Sequence, residues 1–205
     1  KILLDYPLKD IMESAVKTLV VLKNDIKFDS SYDLDIYNFD KFKNEISELL
    51  DYYYPFIHKK EISLDLKEEF YTFWKKYYES LNFNFNTFVH KDFNMNNLLY
   101  LPSRAHHYKC GVIDFQNAFW GESCWDLFSL LEDSRIYFNN QHNDYFIQYY
   151  FNKSNQSMTI DEFKEKYYIL NCSRQTRLLG RWIKLSNKFN QKTYLKFIKT
   201  TKKRL

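Results

Sequence analysis

Four residues in the middle of the chain have the types and the spacing needed for phosphoryl transfer. His90, Asp92 and Asn97 form the pattern H-x-D-x-x-x-x-N, and Asp114 follows a short apolar run. In catalytic loops with this spacing, the Asp orients an attacking hydroxyl and accepts its proton, while the Asn and the later Asp bind Mg²⁺. We place His90 with Asp92 in the catalytic loop, where we expect it to brace the loop rather than to do chemistry.

Each of these residues alone could be structural, because Asp and Asn are common in turns and at strand ends. Their order and the segments between them favour the chemical interpretation. Leu98–Leu101 and Cys110–Ile113 are short apolar runs joined by a turn, which predicts an antiparallel hairpin. Asn97 and Asp114 would then face each other at its open end with Cα atoms about 5 Å apart. At that separation their side-chain oxygens can share one hard cation such as Mg²⁺.

Helices are predicted for most of the remaining sequence. Apolar periodicity and capping residues predict helices that begin near Pro7, Asp40, Asp65, Ser123 and Thr159, with a further helical segment from Gln191. The third helix is expected to bury Leu66, Phe70, Phe73, Trp74, Tyr77 and Leu81. Pro55 is expected to end the second helix, and residues 24–38 are expected to form a loop. Because strands and helices do not alternate as β-α-β units, the predicted class is α+β, mostly helical, with a single domain over residues 1–205.

Composition excludes several kinds of protein. The three cysteines are scattered and form no C-x-x-C pair, which predicts a reduced, cytoplasmic protein. No apolar run approaches the ~18 residues of a membrane span, and no nucleic-acid-binding module is recognisable, so neither partner is predicted. The glycines are Gly111, Gly121 and Gly180, which cannot form a glycine-rich phosphate-binding loop.

The central stretch resembles the aminoglycoside phosphotransferase and choline kinase-like enzymes, which share the protein-kinase-like fold. The residues that carry this resemblance lie in three stretches: His90–Asn97, Ile113–Phe115 and Trp125–Leu127. The resemblance implies the large C-terminal lobe of that fold and the use of ATP. It also implies that Asp92 is the catalytic base, that Asn97 and Asp114 bind Mg²⁺ and the nucleotide, and that Asp126 anchors the catalytic loop.

Two further stretches resemble a narrower group, the bacterial sugar kinases of cell-wall recycling. These stretches are Gly111–Gln116 and Arg177–Gly180. The likeness implies transfer of the γ-phosphoryl group of ATP to a hydroxyl of a small molecule such as N-acetylmuramate or N-acetylglucosamine. Choline, ethanolamine, homoserine or an aminoglycoside is the alternative acceptor. A non-catalytic binding protein built on a kinase lobe is a second alternative.

The small N-terminal β lobe of that fold would carry a phosphate-covering loop and a Lys that contacts ATP. No strands of this kind can be recognised in the sequence, and Leu3–Pro7 is similar to the segment that follows the hinge between the lobes. We therefore expect that the lobe is missing here or encoded elsewhere, and that these 205 residues alone have negligible kinase activity.

Candidate acceptor-binding residues lie outside the central motif. Arg174, Arg177, Arg181 and Lys184 recur at three- and four-residue spacing and so share one face of a helix. They could receive the carboxylate of N-acetylmuramate, although a solvated basic face is the favoured interpretation. Trp120 could stack on a sugar ring or pack in the core.

Overall fold

The computed structural model describes residues 8–135 and 142–205, which fall into two compact units. The first unit contains residues 8–36, 84–133 and 142–164, and the second contains residues 37–83, 134–135 and 165–205. Helices dominate both units, and the described strands form two small sheets, so the prediction of a mostly helical protein with little sheet is confirmed. The interpretation of Leu3–Pro7 lies outside the described residues, and the single domain stays a prediction.

The first unit is organised around α1 (Leu8–Asp25). The helical spacing of apolar residues predicts an inward face of six residues, of which Ile11, Met12, Ala15, Val16 and Leu19 are buried, whereas Leu8 is exposed. The helix packs against α5 (Trp125–Leu131) and α6 (Asn143–Lys153). Helix α6 was not predicted from the sequence.

A three-stranded sheet leads the chain into the catalytic loop. Its central strand, β5 (Phe119–Gly121), runs parallel to β1 (Asp35–Ile36) and antiparallel to β2 (Thr87–Val89). At Gly121 a Cβ atom would lie 2.5 Å from the Phe119 ring, so only glycine fits this position without a shift. The sequence predicted a loop where β1 lies and no strand at β5, because strands this short show no alternation of polar and apolar residues.

The predicted hairpin is confirmed. Strands β3 (Leu98–Tyr100) and β4 (Cys110–Val112) pair antiparallel, with Leu98 opposite Val112. The connection between them ends in a 3₁₀ turn, His106–Lys109, that packs on α1. There the hydroxyl of Thr18 donates a hydrogen bond to the carbonyl oxygen of His107 at 3.0 Å.

The second unit is helical. It contains α2 (Phe39–Glu48), a π-helical turn (Leu49–Tyr53), α3 (Tyr54–His58), α4 (Leu64–Ser80), most of α7 (Ile160–Phe189), a 3₁₀ turn (Lys192–Lys196) and α8 (Phe197–Arg204). The prediction that Pro55 ends a helix is wrong. The chain stays helical from the π-helical turn through Pro55 to His58, so the proline lies within a helical segment rather than at its end.

The caps of the helices were predicted with mixed success. Thr159 and Glu162 form the predicted capping box, because each side chain accepts a hydrogen bond from the backbone N–H of the other. The caps of α2 and α4 are Asn38 and Ser63 rather than Asp40 and Asp65. The predicted cap at Ser123 is also wrong, since that hydroxyl donates instead to the side chain of Gln156 at 2.9 Å.

Helix α4 buries less of its apolar surface than predicted. Trp74 and Leu81, which follows its last turn, are buried, whereas Leu66, Phe73 and Tyr77 are exposed. Across the part of the chain that the structure describes, no helix is both long enough and apolar enough to cross a membrane.

Candidate active site

A carboxylate from α5 holds the backbone that follows β2. Asp126 is buried in the first turn of α5, and its two carboxylate oxygens accept hydrogen bonds from the N–H groups of His90 at 2.7 Å and Lys91 at 3.0 Å. Lys91 has a φ of 75°, a left-handed conformation that is uncommon for residues other than glycine. Asp126 therefore stabilises the turn that begins the catalytic loop, and these contacts suit an anchoring residue.

His90 links the segment that follows β2 to the segment that follows β4. Its ring is buried, and Nε2 lies 3.0 Å from the carbonyl oxygen of Ile113, just after β4. Because a carbonyl oxygen can only accept, Nε2 must carry the proton of this hydrogen bond. Burial lowers the pKa of His90, although the Ile113 carbonyl and the charges of Asp92 and Asp114 act in the opposite direction. A buried, neutral imidazole suits the bracing role expected from the sequence.

The carbonyl oxygen of Asp92 is the centre of a small hydrogen-bond network. It accepts from the backbone N–H of Asn94 at 2.9 Å and from the side-chain nitrogens of Asn94 and Asn97 at 2.8 and 2.9 Å. The side-chain oxygen of Asn94 also accepts from the N–H of Asn96 at 3.1 Å, which caps the 3₁₀ turn Met95–Asn97. This network binds the backbone of Asp92 to the turn that carries Asn97.

Asn94 was not identified from the sequence. The available signal was an Asn placed two residues after the Asp and just before a turn, a position in which Asn side chains bind nearby backbone groups. That signal is weak in this segment because Asn94, Asn96 and Asn97 lie so close together.

Asn97 and Asp114 lie together at the open end of the hairpin. The N–H of Ile113 donates to the carbonyl oxygen of Asn97 at 3.1 Å, and Nδ2 of Asn97 lies 3.3 Å from Oδ2 of Asp114. Oδ1 of Asp114 accepts from the side-chain amide of Gln116 at 2.8 Å, a contact that the sequence did not predict. Asp114 is exposed and has a φ of 72°, a conformation in which Asp is one of the more common residues.

The chemistry of this pair fits a magnesium ion that is shared with a nucleotide. The amide nitrogen of Asn97 is bonded to the Asp92 carbonyl, so the amide oxygen is the side-chain atom of Asn97 that can act as a ligand. Among the described residues, no group of three or more His, Cys, Asp or Glu side chains could hold a metal ion. Mg²⁺ commonly takes one or two protein ligands and completes its shell with water and phosphate oxygens, which is what Asn97 and Asp114 allow.

The predicted solvated basic face on α7 is wrong for Arg174 and Arg177, whereas Arg181 and Lys184 stay partly exposed. Arg174 and Arg177 are only 6% and 8% exposed, respectively. Arg177 pairs with Glu45 at 3.2 Å, and Arg181 pairs with Glu48 at 2.9 Å, so carboxylates of α2 neutralise much of this charge. The same pairs argue against an acceptor-binding role for Arg177 and Arg181, because an anionic acceptor would have to displace the two carboxylates.

The proposed stacking of Trp120 on a sugar is also wrong. Its side chain is 1% exposed in the central strand of the sheet. The rings of Phe28 and Phe88 pack edge-on against it, with centroids 5.1 and 6.5 Å away. Trp120 is a core residue, as its alternative interpretation predicted.

The mostly helical fold and the arrangement of Asp92, Asn97, Asp114 and Asp126 are compatible with a kinase-like protein. The chain belongs to the ecdysteroid kinase-like family, whose sequence model matches residues 15–160. It is also similar to an N-acetylmuramate/N-acetylglucosamine kinase of Caulobacter vibrioides, with 28% identity over 111 residues. That match covers 54% of this chain and 30% of the length of the bacterial kinase. The resemblance to small-molecule kinases inferred from the sequence is thus confirmed.

Proposed function

We propose that this chain provides the catalytic loop and the metal ligands of a small-molecule kinase. The enzyme would transfer the γ-phosphoryl group of ATP to a hydroxyl group, with Asp92 as the base and with Asn97 and Asp114 as the ligands of Mg²⁺. The observation that carries the proposal is the position of the Asn97 amide. Its nitrogen binds the carbonyl oxygen of Asp92 and lies 3.3 Å from Asp114, which links the proposed base to the proposed metal ligands.

Each residue has a defined task in this mechanism. The Asp92 carboxylate would orient the acceptor hydroxyl and accept its proton as the new O–P bond forms. Bound Mg²⁺ would supply charge neutralisation on the phosphates of ATP. Asn94 and Asp126 would hold the loop backbone, and the neutral His90 ring would hold the residue after β2 against the residue after β4. Catalysis would then depend on positioning and electrostatics, without a covalent intermediate on the protein.

The acceptor we propose is an amino sugar of the N-acetylmuramate or N-acetylglucosamine type. This proposal follows the bacterial kinase to which 54% of the chain is similar. The name of the family suggests a second candidate, a hydroxyl of a polyhydroxylated steroid. Choline, ethanolamine, homoserine and aminoglycosides remain alternatives of the same reaction class. A binding protein that uses a kinase lobe without catalysis is the alternative of another class.

A phosphate-transfer assay on the full-length protein tests this function. The protein would be incubated with ATP, Mg²⁺ and one acceptor at a time: either amino sugar, an ecdysteroid or choline. Mass spectrometry would then detect any phosphorylated acceptor. Transfer to one acceptor that falls about 10²- to 10⁴-fold in Asp92→Asn is the expected result. Asp144→Asn, which changes an exposed carboxylate in the first turn of α6, is the matched control. Binding of an acceptor with no phosphorylated product would favour the binding protein instead.

The metal ligands are tested separately by the dependence of the rate on Mg²⁺ concentration. Asn97→Ala and Asp114→Asn should raise the Mg²⁺ concentration required and lower kcat, because the first removes an oxygen donor and the second replaces a charged carboxylate by a neutral amide, which binds Mg²⁺ more weakly. Asn96→Ala is the matched control, since its side chain is exposed in the same turn. An unchanged Mg²⁺ requirement in both variants would show that the ion is held elsewhere.

A further inference from the structure

Helix α4 has a second apolar face that the protein does not bury. Leu66, Phe73 and Tyr77 are 40%, 54% and 38% exposed, respectively. The half-buried Phe70 lies between them, and the rings of Phe73 and Tyr77 are in contact with centroids 4.9 Å apart. At about 100° per residue these four side chains form one stripe along the helix. A continuous stripe of this kind marks an interaction surface, which scattered apolar side chains do not.

The spacing of the stripe is that of a coiled coil. Leu66 and Phe73 are seven residues apart, as are Phe70 and Tyr77, so they occupy the d and a positions of a heptad. The flanking g positions are Glu69 and Lys76, and both are exposed. On this g edge the stripe has a negative charge beside its first half and a positive charge beside its second half, whereas the e edge carries Lys67 and the buried Trp74.

This charge pattern is complementary to itself when two copies of the helix lie antiparallel. A two-fold axis places the first half of one helix against the second half of the other, so that residue i meets residue j and residue j meets residue i. Glu69 would then lie opposite Lys76 of the partner subunit, and the reciprocal pair would form at the other end. Leu66 would lie against Tyr77 of the partner subunit, with Phe70 and Phe73 at the centre.

We propose that α4 is a homodimer contact in which two copies of this chain pair antiparallel through the stripe Leu66, Phe70, Phe73 and Tyr77. The ion pairs between Glu69 and Lys76 set the orientation and the register. Helix α4 has 17 residues and so is about 25 Å long. One helix pair of this length buries an area at the low end of specific interfaces, so the dimer dissociates reversibly on dilution. This contact is independent of the proposed kinase reaction.

Sedimentation velocity over a dilution series of the 205-residue chain tests the apolar part of the contact. We expect a monomer–dimer equilibrium whose dissociation constant rises about 100-fold in Phe73→Gln. One substitution removes an aromatic ring from each subunit at the centre of the contact. Phe73 is exposed in the monomer, so the variant should keep its fold, which far-UV circular dichroism will check. A chain that stays monomeric at every concentration would overturn the proposal and leave the stripe to another partner. A dimer whose dissociation constant is unchanged by Phe73→Gln would also overturn the proposal.

Charge exchange tests the orientation. Glu69→Lys alone and Lys76→Glu alone each place like charges at both ends of the contact, and each should weaken the dimer about tenfold. The double variant restores opposite charges in the antiparallel pair and should recover the dimer of the unmodified chain. Glu68→Lys is the matched control, because Glu68 lies about 200° around the helix from Leu66 and away from the stripe. If the double variant dimerises no more tightly than the single variants, the antiparallel arrangement is contradicted.

Discussion

The hydrogen bonds of Asp126 give the most direct test of how the catalytic loop is held. Asp126→Ala removes the acceptor of the His90 N–H, which is buried, and of the Lys91 N–H, which is partly buried. A buried donor without an acceptor costs about 1–3 kcal/mol. Taking the upper part of that range for His90 and the lower end for Lys91, we expect a loss of about 3–4 kcal/mol in the free energy of unfolding.

Urea denaturation followed by tryptophan fluorescence measures this loss. In thermal unfolding, about 3–4 kcal/mol should lower Tm by roughly 6–16 °C in a protein of this size. Asp126→Asn keeps one of the two acceptor oxygens, so its free energy of unfolding should fall by about half as much as that of Asp126→Ala. Asp144→Ala controls for the loss of an acidic residue in the first turn of a helix, which is worth only about 0.3–1 kcal/mol.

Equal destabilisation by Asp126→Ala and Asp144→Ala would contradict the role of Asp126 as an anchor of the loop. That result would mean that water or a shifted backbone satisfies the N–H groups of His90 and Lys91. The Asp126 side chain would then contribute a helix charge rather than an anchor for the loop.

Two further changes test other parts of the structure. Gly180→Ala should destabilise the protein by about 3 kcal/mol, because the new Cβ would overlap the backbone carbonyl of Glu48, whereas Gly to Ala within an exposed helix stabilises by about 1 kcal/mol. Gly111→Ala, which meets neighbours only at 3.4 Å or more, is its control in the same denaturation assay. Because burial lowers the pKa of His90 from its ordinary value of 6.5, the unfolded state takes up that proton first, and stability should fall as the pH drops below about 6.5 toward the lower folded pKa. The free energy of unfolding of His90→Gln should fall less over this range, and an equal fall in both proteins would contradict a buried neutral ring.

The candidate site residues and the hairpin pairing could be identified from the sequence because their signals are local in the chain. The order of His90, Asp92, Asn97 and Asp114 is visible without any structure, and two short apolar runs joined by a turn have few ways to pair. The Thr159–Glu162 capping box is local for the same reason, since both partners lie within one helical turn.

Other features depend on what packs against a residue, which the sequence does not state. The charge pattern of α7 favoured a solvated face, but α2 approaches so closely at Gly180 that Arg177 is buried against Glu45. The two apolar faces of α4 have similar compositions, and only packing against the rest of its unit decides that Trp74 is buried and Phe73 is exposed.

The sequence by itself determined the candidate residues for phosphoryl transfer and the class of protein, and the match to the kinase-like family agrees with that class. The tertiary structure decided how those residues are held. The N–H groups of His90 and Lys91 are bound by Asp126, which lies 36 and 35 residues away in the chain, respectively. Hydrogen bonds over such separations form only after strands and helices have packed, so no local pattern can specify them.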